Sequence, residues 1–439
     1  MITIGCSFTE NFIPVTEAFL HHIWKHRLFN HNNLLTDEGE PVEIVNPGYH
    51  NTGAGPDFFN AQLIIGGTHW AGNVEIHIQS SDWNRHNHHL DEAYDTCVLH
   101  VVLDNDGVTR RMNGTQIPTI QLRGRYPDYL WNNFIQLIGR QDWIACQQQL
   151  KDVDEELWST TIQRMLMERL HHRSQYILIS LEGLKNDWEE CFYQYLAHNF
   201  GFQVNSMPFE MLARSLPLKI LRREGANPHA IESLLYGQAG LLEKDFNDSY
   251  PTELQMHYRH FQKKYSLTPI AASAWKFMRM RPVNFPTIRI AQFAEMIRSH
   301  PSLFSIARDS EDLENILPLL SVQANGYWSD HYLFDKLSTR SEKNMGIHSI
   351  ENILINTIVP FIYAWGIFTG SESAREKALE FLFQIPAEDN SIIRKWSEMG
   401  VNIGNAGTSQ ALIQLKQLHC AEKKCLSCTI GSRIINTLS

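Results

Sequence analysis

The sequence lacks the features that send a chain into or across a membrane. Residues 1–19 hold no basic leader followed by an apolar stretch, and no later segment reaches about 18 uninterrupted apolar residues. These absences predict a cytoplasmic chain without an export signal or a membrane span.

Positive charge is also scarce. The 38 lysines and arginines are outnumbered by 48 acidic residues, which leaves a formal net charge of −10. Such a chain has no overall field that attracts a polyanion, so a nucleic-acid partner would have to be held by a local basic patch.

Cysteine is too sparse for a disulfide framework, since seven thiols are spread over 439 residues. Three thiols nevertheless crowd the end of the chain as Cys420, Cys425 and Cys428. This spacing predicts either reduced thiols or a site for zinc or an iron–sulfur cluster. A fourth ligand would then have to come from His419 or from a distant cysteine such as Cys6 or Cys146.

The chain is long enough for two or three domains with full cores, because 43% of its residues are hydrophobic. Residues 1–150 mix short alternating runs with helical segments, whereas residues 151–439 show mostly helical spacing of apolar residues. We therefore predict an α/β domain over residues 1–150, followed by a large all-helical region over residues 151–439.

The α/β domain is predicted to follow the order α-β-β-β-α-β. Thr16 can cap the first helix, and Gly66 and Gly67 supply a turn between two alternating runs. The run "TCVLHVVLD" is nearly all apolar, as expected for a central strand that is covered on both sides. The segments "GVTRRMNG" and "TQIPTIQL" are predicted to add a hairpin.

One stretch of this domain, "GPDFFNAQLIIGGTHWAGNVEIH", places an acid before one strand and a second acid near the end of the next. Glu75 and His77 differ by two positions, so both point to one face of their strand. The order of elements and the Asp57…Glu75-x-His77 pattern resemble the PD-(D/E)XK nuclease superfamily, which normally has lysine in place of His77. The resemblance implies Mg²⁺ or Mn²⁺ bound by Asp57 and Glu75, with a water positioned by His77.

By position, the resemblance adds Glu17 on the first helix and His86 or His88 after the motif as assisting catalytic residues. Histidine can be neutral and can itself bind a metal, so His77 leaves two functions open. The chain is either a metal-dependent nuclease that hydrolyses phosphodiester bonds, or a catalytically inactive relative that uses the fold for binding or assembly.

A zinc-dependent hydrolase is a third interpretation. Eleven of the 21 histidines lie in residues 1–100, and "HNHHLD" resembles the first half of the His-x-His-x-Asp-His signature of metallo-β-lactamase-like hydrolases. The second half differs, because Leu90 and Asp91 stand where an acid and a histidine are needed. Without any metal, the same histidines would simply be exposed side chains on a polar helix.

Nearly the whole chain also resembles a bacterial family of unknown function, domain of unknown function 2851. Membership implies a shared fold and brings no established activity with it. The blocks that carry the resemblance are "EAFLHHIW", "NTGAGPDFFNAQLIIGGTHWAGNVEIHIQSSDWNRHNHH", "LHVV", "YGQAGLL", "RMRPVNFPTIRIAQFA" and "CLSCTIG".

The helical region contains one basic stretch with interleaved aromatic residues, "WKFMRMRPVNFPTIR". Guanidinium groups can grip phosphates while aromatic rings stack on unpaired bases. This predicts a nucleic-acid contact through Lys276, Arg279, Arg281 and Arg289. A core of aromatic residues with arginines reaching the surface explains the stretch without a ligand.

Overall fold

The computed structural model describes residues 14–225 and 227–437. The chain forms two compact units, the first made of residues 1–161 and 415–439 and the second of residues 162–414. The first unit therefore contains the α/β domain predicted over residues 1–150. It also contains the C-terminal segment, which the sequence-based division assigned to the helical region.

The first unit contains a six-stranded sheet and the second a two-stranded sheet. The strands are β1 (Val42–Asn46), β2 (Tyr49–His50), β3 (Phe58–Ile65), β4 (Thr68–Gln79), β5 (Cys97–Asp104), β6 (Thr119–Gln121), β7 (His331–Leu333) and β8 (Lys336–Leu337).

Most of the α-helices lie in the second unit, and the first, second, third and last of them lie in the first unit. The α-helices of the described residues are α1 (Glu17–Lys25), α2 (Asp82–Arg85), α3 (Asp128–Gly139), α4 (Glu155–Gly183), α5 (Trp188–Phe200), α6 (Phe202–Ser215), α7 (Leu218–Glu224), α8 (Pro228–Gln238), α9 (Ser249–Tyr265), α10 (Pro286–Ser299), α11 (Leu303–Asp309), α12 (Leu313–Leu320), α13 (Ile347–Ile353), α14 (Val359–Thr369), α15 (Glu372–Gln384), α16 (Ser391–Glu398), α17 (Ala406–Gln414) and α18 (Thr429–Asn436).

The large sheet combines an antiparallel and a parallel part. Its order is β1-β3-β4-β5-β6, with β2 paired to the start of β3. Strands β1, β3 and β4 are antiparallel neighbours, whereas β4, β5 and β6 run parallel. Gly66 and Gly67 join β3 to β4 with φ angles of 57° and 80°, the left-handed backbone that a tight hairpin turn requires.

The connection from β4 to β5 differs from the predicted helix. It contains the four-residue α2 and two short 3₁₀ turns, His88–Leu90 and Glu92–Tyr94. Asn87 separates α2 from the first turn with a φ of 64°, which ends the helix.

The hairpin predicted after β5 is confirmed only as a short antiparallel turn. Arg110 and Gln116 form one bridge, and the Ile117 N–H donates to the Thr109 carbonyl at 3.0 Å. The second run then continues into β6, which pairs parallel to β5. Burial explains this continuation, because Ile120 and Leu122 are enclosed in the core of the sheet.

The second unit contains one helical rod that is unusually apolar. Helices α13 and α14 are joined by a π-helical segment at Leu354–Ile358. In the described part of the chain, only this rod, Ile347–Thr369, is long and apolar enough to cross a bilayer, and its most apolar window is 67% buried. A helix that is apolar on all sides is typical of a protein core as well as of a membrane span.

Candidate metal centre in the first unit

Three parts of the first unit direct polar side chains to one place. They are helix α1, the hairpin of β3 and β4, and the connection from β4 to β5. The contacts described below bring together five of the six residues that the sequence motif selected, namely Asp57, Glu75, His77, His86 and His88. Glu17, the sixth, lies on α1 close enough for the charges of His86 and Asp57 to affect its pKa.

Asp57 and Glu75 hold the start of β3 against β4. The Asp57 N–H donates to Glu75 Oε2 at 3.0 Å, and the Ile76 N–H donates to Asp57 Oδ2 at 2.9 Å. The Glu75 side chain is 6% exposed and that of Asp57 is 21% exposed. Burial raises the pKa of Glu75. The two acids thus form an ordered corner with one edge open to solvent.

His77 lies at the centre of a histidine cluster. Its Nδ1 is 2.8 Å from His100 Nε2, and its Nε2 is 3.2 Å from His86 Nδ1. Burial, followed by the charges of neighbouring histidines, lowers the pKa of His77 to about 2 and that of His100 to about 3. Both rings are therefore neutral. If Nδ1 of His77 donates to His100, its Nε2 carries a lone pair that can bind a metal.

His88 joins this cluster to the acidic corner. Its Nε2 lies 3.2 Å from Glu75 Oε1, and its ring stacks on Tyr94 with centroids 3.8 Å apart. One ligand atom each of His77, His86 and His88 lies within 4.8 Å of the other two. His77 is buried, whereas His88 is half-buried and His86 is exposed. The cluster is therefore accessible from one side.

The spacing of these donor atoms fits a single transition-metal ion. Two ligand atoms bound at about 2.0–2.1 Å with a tetrahedral angle lie about 3.3 Å apart. The contacts His77–His86 and His88–Glu75 are both 3.2 Å, and His77–Glu75 is 3.7 Å. Glu75 contacts His77 and His88 but does not belong to the group of atoms within 4.8 Å, which consists of the three imidazoles. Imidazole donors are typical of Zn²⁺, whereas Mg²⁺ prefers oxygen ligands.

Helix α1 adds two residues at the open edge. His21 Nε2 lies 3.2 Å from Asp57 Oδ2, and the His21 side chain is 20% exposed. Burial raises the pKa of Glu17, while the charges of His86 and His21 lower it and that of Asp57 raises it. His21 was missed by sequence reasoning. The available signal was its position four residues after Glu17, on the same face of the helix.

His100 and Tyr94 were also missed. His100 is the β5 partner of Glu75 in the parallel register, and Tyr94 reaches His88 from the second 3₁₀ turn. No local pattern points to either residue, because both are placed by contacts between distant segments.

The basic stretch of the second unit contains two kinds of residue. Arg289 is 6% exposed, and its guanidinium donates three hydrogen bonds to side chains of the same unit. These internal partners account for its position. Lys276, Arg279 and Arg281 are exposed, and a nucleic-acid contact through them stays a prediction.

The C-terminal cysteines lie in the first unit, where Cys146 joins them. Cys146 packs against the core that contains Cys425. Burial, followed by the charges of Cys428 and Cys425, raises the pKa of Cys146 to about 12. Of the other ligands considered, His419 is buried and Cys6 lies outside the described residues.

Comparison with known proteins gives one family. No curated protein and no solved structure matches the chain. The model of the family described as "Protein of unknown function (DUF2851)" matches residues 17–391, a range that includes the whole histidine cluster. Because this range covers most of the sequence, the chain belongs to the DUF2851 family.

Proposed function

We propose that the chain is a cytoplasmic metal-dependent hydrolase that cleaves phosphodiester bonds of a nucleic acid at the histidine cluster. One observation carries the proposal. Ligand atoms of His77, His86 and His88 lie within 4.8 Å of one another, and Glu75 contacts two of these rings.

The proposed ligands are His77 Nε2, His86 Nδ1, His88 Nε2 and Glu75 Oε1. A metal bound there would neutralise phosphate charge and lower the pKa of a water nucleophile. His100 orients the His77 ring through Nδ1, which is the usual task of an outer-shell partner. We expect Zn²⁺ to bind more tightly than Mn²⁺ or Mg²⁺, because three of the four donors are imidazoles.

Asp57 and His21 supply the proton transfer in this proposal. Their side chains contact each other at the solvent-facing edge, at 21% and 20% exposure. The Asp57 carboxylate faces His21 Nε2 at 3.2 Å and orients the ring. His21 can then hold a proton at its other ring nitrogen, Nδ1, for the leaving oxygen of a phosphodiester.

The arrangement of the sheet supports a nucleic acid as the substrate. Asp57 stands at the start of β3, Glu75 and His77 lie on the antiparallel neighbour β4, and β5 follows parallel to β4. This placement resembles that of the acidic residues in the PD-(D/E)XK nuclease superfamily. With a net charge of −10, the chain depends on the metal itself to attract a phosphate.

A non-catalytic binding or scaffold protein is the second candidate. The observation that favours it is the pair of hydrogen bonds between Asp57 and the Glu75–Ile76 segment, which gives both carboxylates a structural task. In that case the acids would fasten β3 to β4 and substrate turnover would be absent.

Metal titration tests the first step. The purified chain, freed of metal by a chelator, is titrated calorimetrically with Zn²⁺, Mn²⁺ and Mg²⁺. We expect His88→Ala to weaken Zn²⁺ binding by more than the about 10–100-fold loss that follows removal of an outer-shell partner. His89→Ala is the matched control, because His89 is the neighbouring histidine and lies outside the cluster. Equal Zn²⁺ affinity in both variants would contradict the ligand assignment.

Cleavage assays test the second step. Single- and double-stranded DNA and RNA are incubated with the metal-loaded chain and with Asp57→Asn and His21→Gln variants. We expect cleavage that is lost without metal and reduced by about 100-fold or more in the variants. Zn²⁺ binding without cleavage of any of these substrates would favour the scaffold function, and cleavage indifferent to both substitutions would place the activity elsewhere.

A further inference from the structure

We propose that Cys146, Cys420, Cys425 and Cys428 form a four-thiolate metal centre that fastens the C-terminal segment to the α/β part of the first unit. We expect an iron–sulfur cluster as its occupant. This centre is separate from the histidine cluster and does not depend on the proposed hydrolase activity.

The C-terminal segment is held against the residues that precede Cys146. Lys416 Nζ donates to the Trp143 carbonyl at 2.7 Å, and Lys423 Nζ donates to the carbonyls of Ile138 and Arg140. These lysines flank Cys420 in the sequence. The lysine contacts therefore bring Cys420 and its neighbours to the segment that contains Cys146.

Helix α1 provides a second attachment for the same segment. His22 Nε2 lies 2.9 Å from Asn436 Oδ1, and its Nδ1 lies 3.3 Å from the Leu426 carbonyl. Cys425 is buried in the core that contains Phe19, and Cys146 packs against that core. Packing thus brings Cys146 and Cys425, which are 279 positions apart in the sequence, to one core.

The thiols affect one another electrostatically. Besides burial, Cys428 and Cys425 raise the pKa of Cys146, and Cys146, Cys428 and Cys425 raise that of Cys420. These effects agree with the packing of Cys146 against the core that contains Cys425. Four cysteine ligands are the usual complement of both iron–sulfur clusters and structural zinc sites.

The local backbone is built around Cys425. Gly431, in the first turns of α18, approaches so closely that a Cβ at this position would lie 2.3 Å from the Cys425 carbonyl oxygen. The Cys428 N–H donates to the same carbonyl at 3.3 Å. This packing fixes the loop from Cys425 to Cys428 against the start of the helix.

The spacing of the sulfur atoms distinguishes the two types of centre. A zinc ion with Zn–S bonds of about 2.3 Å holds its sulfurs about 3.8 Å apart. Among the described residues, no three of these sulfurs lie within 4.8 Å of one another, in contrast to the donors of the histidine cluster. A single zinc ion does not fit this spacing, whereas in an iron–sulfur cluster each thiolate can bind a different iron.

Metal analysis of the full-length chain tests the proposal. The protein is produced with added iron and purified without oxygen, and its iron, sulfide and zinc contents are measured together with visible absorption. We expect iron and sulfide with a visible absorption band, and the loss of all three signals in Cys146→Ser. Cys191→Ser is the matched control, because Cys191 is a buried thiol of the second unit and should not affect the centre.

Further measurements keep the test decisive. If Cys146→Ser does not fold, the wild-type cluster is removed with an oxidant and a chelator, and the visible band should bleach before the circular dichroism changes. If the four thiols hold zinc, the four-thiolate centre is supported and its assignment as an iron–sulfur cluster is overturned. Absence of both metals, or full metal content in Cys146→Ser, would overturn the centre itself. His88→Ala should leave the iron content unchanged, which separates this result from failure of the proposed hydrolase.

Discussion

The side chain at position 77 determines which metal chemistry the first unit can support. His77 makes nitrogen contacts to His100 and His86 at once, and its low pKa keeps the ring neutral. A lysine there would offer only donors and a permanent charge, so it could not accept a metal ion between these imidazoles. The histidine therefore shifts the site from oxygen ligands towards a mixed nitrogen and oxygen set.

Glu232, in helix α8 of the second unit, is another buried acid. It borders a cavity of about 300 Å³ that Tyr250, Asn325, Glu295 and Arg298 also line. Burial raises its pKa to about 7, although hydrogen bonds from Asn325 and Tyr250 and the charge of Arg298 act in the opposite direction. The folded protein therefore holds this proton more tightly than the unfolded chain does.

This pKa predicts a pH dependence of stability. The contribution of Glu232 is fully present below pH 4.5 and is lost as the pH rises to about 7. The loss should approach about 3 kcal/mol, the equivalent of the shift in pKa. We expect Glu232→Gln to flatten this part of the profile in urea unfolding followed over the same pH range. Glu253→Gln, at an exposed position of α9, is the control. Parallel profiles for wild type and Glu232→Gln would contradict the prediction.

At the scale of elements, helices α8 and α9 pack closely through a glycine of the "YGQAGLL" block. A Cβ at Gly237 would lie 2.0 Å from the ring of Tyr258. That ring cannot move freely, because the Tyr258 hydroxyl donates to Gln238 Oε1 at 3.0 Å in the buried interior.

We expect Gly237→Ala to destabilise the protein by about 1–3 kcal/mol, the usual cost of overpacking a core. Alanine favours a helix over glycine by about 1 kcal/mol, which offsets only part of the overlap. Gly183→Ala at the end of α4 is the control, because a Cβ there meets nothing within 4 Å. Urea unfolding monitored by circular dichroism would show the difference. Equal or higher stability of Gly237→Ala would mean that α9 can move away from α8.

Local patterns predicted the elements that hold the motif. The Thr16 cap accepts from the Phe19 N–H, and the two glycines turn β3 into β4 as expected. The connection after β4 was predicted as a helix and is broken at Asn87. Residues two apart on a helix point in different directions, so this break is what lets His86 and His88 reach one cluster.

Long-range placement could not be predicted in the same way. His100 enters the site through the parallel pairing of β4 and β5, a register that depends on the packed sheet. Cys146 packs against the core that contains Cys425 because residues 415–437 return to the first unit. Helical spacing predicts that such a segment buries one face and does not indicate which core receives it.

At the scale of the whole molecule, the first unit is completed only by the C-terminal segment. Ile435 of α18 is fully buried in one core with Leu137 of α3 and with Ile76 and Leu99 of the sheet. The strands that position the proposed metal ligands thus share a core with residues that follow the whole second unit in the sequence. Loss of packing at α18 should therefore lower the stability of β4 and β5.

We expect Ile435→Ala to destabilise the first unit by about 2–5 kcal/mol, because the truncated side chain leaves a cavity in that core. Hydrogen exchange measured by mass spectrometry should then be faster in β3, β4 and β5 than in the wild type. Arg433→Ala changes an exposed residue of the same helix and should leave these rates unaltered. If the strands of Ile435→Ala exchange at wild-type rates, α18 does not contribute to their stability, and the C-terminal segment would be an attachment to the α/β core and not a part of it.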